Sequence, residues 1–279
     1  MCTIPVLRKV CRESYNDPLA VYEKLKRLGM DLVTVTDHDS IDAAETLRSK
    51  PDFFLSEEVT CTLPSGTGLH IGVYDITERD HVELQRRRDD FESLAGWLDE
   101  RGLFFSANHV FSSLTGRRAA EDFPLFETAF PALETRNGHM LACANRNAEA
   151  LAGAAGLAEV GGSDAHAMGS VGGTYTVAPR ARTKQEYLHA LRMGQGRVRG
   201  ESGGIWKLLR DVASIGCSMA IENPYTTPIV ALGLALPAVI LGNYIVESVF
   251  ARRAMARYLR LRALRGAGRG ATPIAEVAA

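Results

Sequence analysis

Four of the seven histidines in this 279-residue chain, His38, His70, His109 and His166, fall in or at the ends of short apolar runs. Acidic and amide side chains cluster at the same places. Asp37, His38 and Asp39 close the run at residues 32–36, Glu57 and Glu58 follow residues 53–55, and His70 lies inside residues 69–74. Asn108 and His109 follow residues 103–105, and Asp164 and His166 follow residues 159–162. Imidazole nitrogens and carboxylate oxygens converging from several elements are the donor set of borderline and hard divalent metals. One histidine at such a position is more often a satisfied core group. Nine histidines and acids in or at the ends of apolar runs would otherwise each need a buried partner, so the set is read as a metal centre.

Those runs must be strands placed so that their ends meet. Segments with helical spacing, residues 19–28, 82–98 and 145–157, lie between several of them, and strand and helix alternate. The runs are continuously apolar, as in parallel strands buried on both faces. Ligand-type side chains stand at the C-terminal ends of so many runs that a closed or nearly closed α/β barrel is expected rather than an open sheet with one switch point. Residues 183–193 read as a last helix and residues 194–204 as a glycine-rich exit loop.

Composition narrows the partners. A formal net charge of −1, from 32 basic and 33 acidic residues, gives no general pull toward nucleic acid, and no stable nucleic-acid partner is expected. The five cysteines form no C-x-x-C pair, and they read as reduced thiols in a cytoplasmic setting. Residues 1–15 contain no apolar core of a signal peptide.

In order and approximate spacing, the blocks resemble the PHP (polymerase and histidinol phosphatase) family. Thr36-Asp37-His38-Asp39 is similar to its TDHD block, Glu58-Val59-Thr60 to its E-[IV]-[ST] block, and Leu69-His70-Ile71-Gly72-Val73-Tyr74 to HILGY. Asn108-His109 is similar to AHP and Gly162-Ser163-Asp164-Ala165-His166 to GSDAH. Each block is short; five in sequence over residues 19–199 are specific. The resemblance implies a distorted (β/α)7 barrel with two or three divalent ions, zinc, manganese or iron, and hydrolysis of a phosphomonoester or phosphodiester by a metal-activated hydroxide. The substrate would be a phosphorylated small molecule, a nucleotide or an oligonucleotide.

Carried over by residue, the resemblance implies that Glu58 bridges two metals, with His70 and His109 completing one and Asp164 holding the other. His38 and His166 would hold a third, and Asp37 and Asp39 would stand behind the ligands or beside the phosphate. Asp37, His38, Glu58 and Asp164 are thus the catalytic candidates. The family begins with a strand ending in H-x-H, and no histidine precedes His38 here; the expectation is an upstream segment encoding that strand. A membrane-tethered metal-binding module without turnover is the alternative. An amidohydrolase is disfavoured by the Asp164-Ala165-His166 pair and by the lack of a strand-end lysine.

Arg117, Arg118, Arg136 and His139 are the candidates for gripping substrate, because arginine forks match phosphate oxygens and His139 closely follows a strand end. Residues 1–202 are expected to form the phosphoesterase domain and 203–222 a linker helix. Residues 223–246 carry no charge and are long enough to cross a bilayer as a helix. A basic tail would follow at 247–279. Membrane association through this tail, with the catalytic domain on the cytoplasmic side, is the expected location.

Overall fold

A computed structural model describes residues 12, 14–227 and 232–269. The first helix, α1 (Pro18–Arg27), starts where Asp17 accepts a hydrogen bond from the Ala20 amide and Pro18 supplies a preset first turn. A short helix α2 (Asp42–Glu45) leads to the hairpin β1 (Ser56–Thr62) and β2 (Gly68–Tyr74). The expected helix at 82–98 is two helices, α3 (Glu78–Arg87) and α4 (Phe91–Glu100). Thr77 and Asp80 cap α3 reciprocally, and Asp90 caps α4 through the Ser93 amide, so the chain stops and restarts between them.

Next come β3 (Phe104–Ala107), α5 (Asp122–Thr128), β4 (Ala132–Asn137), α6 (Ala142–Ala155) and β5 (Ala158–Gly162). The sheet order is β1-β2-β3-β4-β5; β1 pairs antiparallel with β2 and β2 with β3, and only β3-β4 and β4-β5 are parallel. A separate antiparallel pair, β6 (Thr174–Val177) and β7 (Arg197–Gly200), flanks α7 (Lys184–Arg192).

The expected (β/α)7 barrel is therefore corrected to an open mixed α/β sheet among the described residues. Residues 32–38 form no named strand and run beside residues 53–58 through single parallel bridges, Val33 to Phe53 and His38 to Glu58, of which only the second reaches β1. The expected exit loop contains β7, because β6, on the other side of α7 in sequence, pairs with it antiparallel and satisfies its backbone. The expected upstream H-x-H strand lies outside the described residues.

One face of the sheet packs Val59, Ile71, Val73, Phe105 and Leu133 against Leu84, Leu94, Phe123, Phe126 and Leu151 of the helices. The other face carries a smaller cluster of Phe104, Ala132, Ala158, Val160 and Leu191. Two long helices complete the chain, α8 (Ile205–Glu222) and α9 (Leu236–Arg269). The charge-free stretch is thus not one helix. Short 3-10 turns at Pro224–Thr226 and Leu232–Ala235 interrupt it, and Pro237, tolerated in a first turn, opens α9. The arginine-rich sequence expected as a tail begins as the docked half of α9. Ala251, Ala254 and Tyr258 join the main core, and Tyr258 lies 5.5 Å from Phe123, centroid to centroid.

Candidate metal centre

Glu58 is the hub. It stands on β1 with its carboxylate buried, one residue past Glu57, whose side chain points to the other face as strand alternation requires. Glu57 pairs there with His81 at 2.6 Å and accepts from Gln85, so His81 is half-buried and partnered rather than a free surface group. Around Glu58 the ring nitrogens of three histidines converge: His38 Nδ1 at 3.2 Å, His109 Nε2 at 3.4 Å and His70 Nδ1 at 3.7 Å. One ligand atom each from His38, Glu58 and His70 lies within 4.8 Å of the others. His70 Nδ1 and His109 Nε2 are themselves 3.2 Å apart.

The backbone is bent to achieve this. Asp39, His109 and Asp164 adopt φ values of 53°, 31° and 45°, a left-handed region that non-glycine residues enter at a cost of about 1–3 kcal/mol each and that clusters at functional sites. Asp39 stabilises its turn by accepting from the Thr60 amide and pairing with Arg88 at 2.7 Å. Asp37 lines the adjoining cleft, which has a volume of about 550 Å³ and is also lined by His38, Glu58, Tyr74, Glu134, Asp164 and His166.

Asn108, named in the sequence only beside His109, and two groups that sequence reasoning did not select, Glu134 and Asn137, complete the frame. Asn108 donates to Glu58 Oε1 at 2.7 Å and is itself held by the Ser106 hydroxyl, which lies 3.0 Å from the Tyr74 hydroxyl. Glu134 accepts from the His109 backbone amide at 3.0 Å and from Asn137 at 3.0 and 3.1 Å. Asn137 also donates to Asp164 Oδ2 at 3.0 Å, tying the two halves of the site together. A register shift in β4 between Glu134 and Arg136 explains why strand alternation did not reveal this pair. The bulge turns Asn137, three residues on, to the face of Glu134.

In the second half, Asp164 stands 3.6 Å from His166 Nδ1, and the His166 and His139 rings lie 5.5 Å apart. His139 Nε2 pairs with the buried Asp211 of α8 at 3.0 Å, and Ser170 hydrogen-bonds the same carboxylate. Gly138 sits where a Cβ would come within 2.7 Å of the Ser163 carbonyl, so only glycine lets β4 end this close to Asp164.

The electrostatics suit cations. Burial raises the Glu58 carboxyl, but its His109 hydrogen bond and the charges of His109, His70 and His38 hold it below the usual carboxylate range. Burial brings the His70 imidazole down to about 4. Burial also opposes charge on His109, yet Glu58, Glu134 and Asp164 raise it to about 9. Burial pushes Glu134 up to about 7. His109 Nδ1 is buried with no hydrogen-bond partner among the described residues. An ionised hub, three imidazoles crowded on it and an orphaned ring nitrogen fit a divalent ion.

Of the substrate candidates, Arg118 is corrected to a structural residue. It is buried, and its fork donates to the Val110 and Gly68 carbonyls and to Thr115. Arg136 turns away on the bulged strand to pair with Glu149 at 2.6 Å. Arg117 is exposed in the loop after His109, and His139 stands beside His166.

A family model described as PHP-associated matches residues 143–195, which contain the Asp164 and His166 block. The PHP family is the one this match supports. No curated protein matches the chain. Among solved structures, PsfC from Pseudomonas syringae PB-5123 superposes with a TM-score of 0.53 at 20% identity, over 76% of this chain and 94% of that one, a likeness of fold. The lesion-specific endonuclease EndoQ from Pyrococcus furiosus has a TM-score of 0.48 at 17% identity, covering 67% and 55% of the two chains. An amidohydrolase from Chromobacterium violaceum has 0.47 at 16%, covering 69% and 95%.

Proposed function

We propose that this chain is a metal-dependent phosphoesterase whose PHP-type site is centred on Glu58. The observation that carries the reading is the convergence of His38, His70 and His109 on one buried carboxylate. His38, Glu58, His70 and His109 would hold ions on one side, and Asp164 with His166 on the other. Bound divalent ions supply an acidified water and neutralise charge on phosphoryl oxygens. The protein's own groups do the positioning. Asn108 fixes one Glu58 oxygen, and Glu134 fixes the His109 backbone in its strained turn. Asn137 holds Asp164 against the same frame, so the two halves keep their spacing when a substrate enters the cleft. Asp37, on the cleft wall beside His38, would orient a phosphate-bearing substrate or its water; Arg117, exposed in the loop after His109, stays a candidate for gripping it from sequence alone.

The substrate class read from this is a phosphorylated small molecule, nucleotide or oligonucleotide. Among the described residues one helix, Gly233–Arg265, is long and apolar enough to cross a membrane, and 11% of its most apolar window is buried. We read it as the attachment that brings the domain to a membrane.

The test is metal content measured together with hydrolysis of p-nitrophenyl phosphate and a dinucleotide. Bound metal with turnover that both falls in His70→Ala or His109→Ala is expected. Full metal loading and unchanged turnover in those variants would refute the assignment, and metal binding without turnover of any ester would favour the non-catalytic module.

A further inference from the structure

Both ends of the apolar segment are fastened to the same domain. On α8, Asp211 is buried against His139 and Ser170, and Lys207 donates to the Gly138 carbonyl at 2.7 Å. On α9, Glu247 accepts from Ser112 Oγ at 3.1 Å and the Ser113 amide at 3.0 Å, and the Ala251 carbonyl accepts from Asn147 at 2.9 Å. Farther along, Arg265 pairs with Glu127 at 3.0 Å. Between these anchors the chain leaves the domain on α8 and returns on α9, and the two helices pack on each other.

The free lengths of the two legs agree. Above Asp211, residues 212–221 of α8 are uncharged, a rise of about 15 Å; above Glu247, residues 236–246 of α9 are uncharged, a rise of about 16 Å. A bilayer core is about 30 Å thick. Neither leg spans it, and both reach its middle. Apolar side chains near the far end are open, with Leu234 95% and Ile221 82% exposed. Glu222, the acid at that end of α8, is paired with Arg12. Exposed Arg210, Arg252 and Arg253 stand at the domain end of the legs, where headgroup phosphates would lie, and Trp206 is exposed there too. Aromatic and cationic side chains at that level are the usual interface anchors.

We propose that α8 and α9 form a one-sided hairpin anchor that enters a single leaflet of an anionic membrane, with the domain and the C-terminal half of α9 on the same side. The proposal rests on the membrane reading above and specifies its topology. A crossing by the apolar part of Gly233–Arg265 would have to carry Glu247 into hydrocarbon and put Ala254 and Tyr258, with most of the arginines, across the membrane from the core they join. A hairpin keeps every one of those contacts. It also resolves the charge pattern, because the arginines remain on the side of the domain. The anchor's feet bear on the segments after β3 and β4, next to His109 and His139.

The test uses the full chain with vesicles of phosphatidylcholine, with and without phosphatidylglycerol. Flotation with the anionic vesicles is expected. A fluorophore on Leu234→Cys should be quenched by lipids labelled along the acyl chain, and a membrane-impermeant maleimide should label Arg180→Cys and Arg260→Cys from the same face. Flotation with labelling of those two positions from opposite faces would overturn the hairpin and leave the membrane reading standing. Absence of flotation, with sedimentation as a dimer that protects Leu234→Cys, would overturn both.

Discussion

The two halves of the site use the same residue types to different ends. Around Glu58 the imidazoles face one another, with His70 and His109 nitrogens 3.2 Å apart beside one shared carboxylate. Around Asp164 the histidines are already satisfied: His139 is held by Asp211, and His166 Nδ1 lies 3.1 Å from the Asp164 carbonyl. In the metal-free protein a raised His109 supplies the proton that faces Glu58 and His70, and a divalent cation would take the place of that proton. On the proposed reading, the Glu58 half is the one organised for a metal. The Asp164 half is organised by protein partners and needs less from one.

Substitutions that separate the halves follow in order of effect. Glu58→Gln should cost the most, because it removes the charge on which three imidazoles converge; metal affinity should fall by more than the roughly 100-fold that loss of a supporting partner costs. Isothermal titration with zinc or manganese reads this directly. His70→Ala and His109→Ala should each lower metal content and turnover together. Asp164→Asn keeps the hydrogen bond from Asn137 and loses only charge, so turnover should fall while at least one metal per chain is retained. An Asp164→Asn protein emptied of all metal would mean that the halves are one cooperative centre.

The pH responses should also have opposite signs. His109 is raised above the ordinary histidine value to about 9 in the metal-free protein. That stabilisation is fully present below the unfolded value near 6.5 and is lost as pH rises through about 9, up to about 3 kcal/mol for a shift of this size. Metal must displace the same proton, so affinity should rise about tenfold per pH unit toward pH 9. Thermal melts of metal-free and loaded protein across that range should therefore diverge; parallel curves would remove His109 from the ligand set. The smallest effect belongs to Asp211→Asn, which loosens His139. A KM change of about 10-fold or less with metal content unchanged is the expected signature.

The ligand-type residues were legible because they close apolar runs or, for His70, interrupt one, and the structure gathers His38, Glu58, His70 and His109 in one cluster. Asp164 and His166 stand beside it, joined through Asn137. What sequence could not show depends on local backbone geometry. Strand alternation predicts that Glu134 and Arg136 share a face; the β4 bulge puts Asn137 there and sends Arg136 to Glu149. Arg118 carries no local sign that its guanidinium serves two backbone carbonyls instead of a phosphate. The barrel expectation assumed that residues 32–36 pair along their length, whereas they make isolated bridges. The break between α3 and α4 was visible in principle, since Asp90 precedes an apolar restart. The docking of α9 was not, because its buried seam of Ala251, Ala254 and Tyr258 lies among arginines.

The most direct test of the Glu58 centre is metal stoichiometry by inductively coupled plasma mass spectrometry on the full chain, purified without chelator, compared with Glu58→Gln, with folding of both verified by circular dichroism. At least one divalent ion per wild-type chain, absent from a folded Glu58→Gln protein, is the predicted result. Equal metal content in the two folded proteins would contradict it.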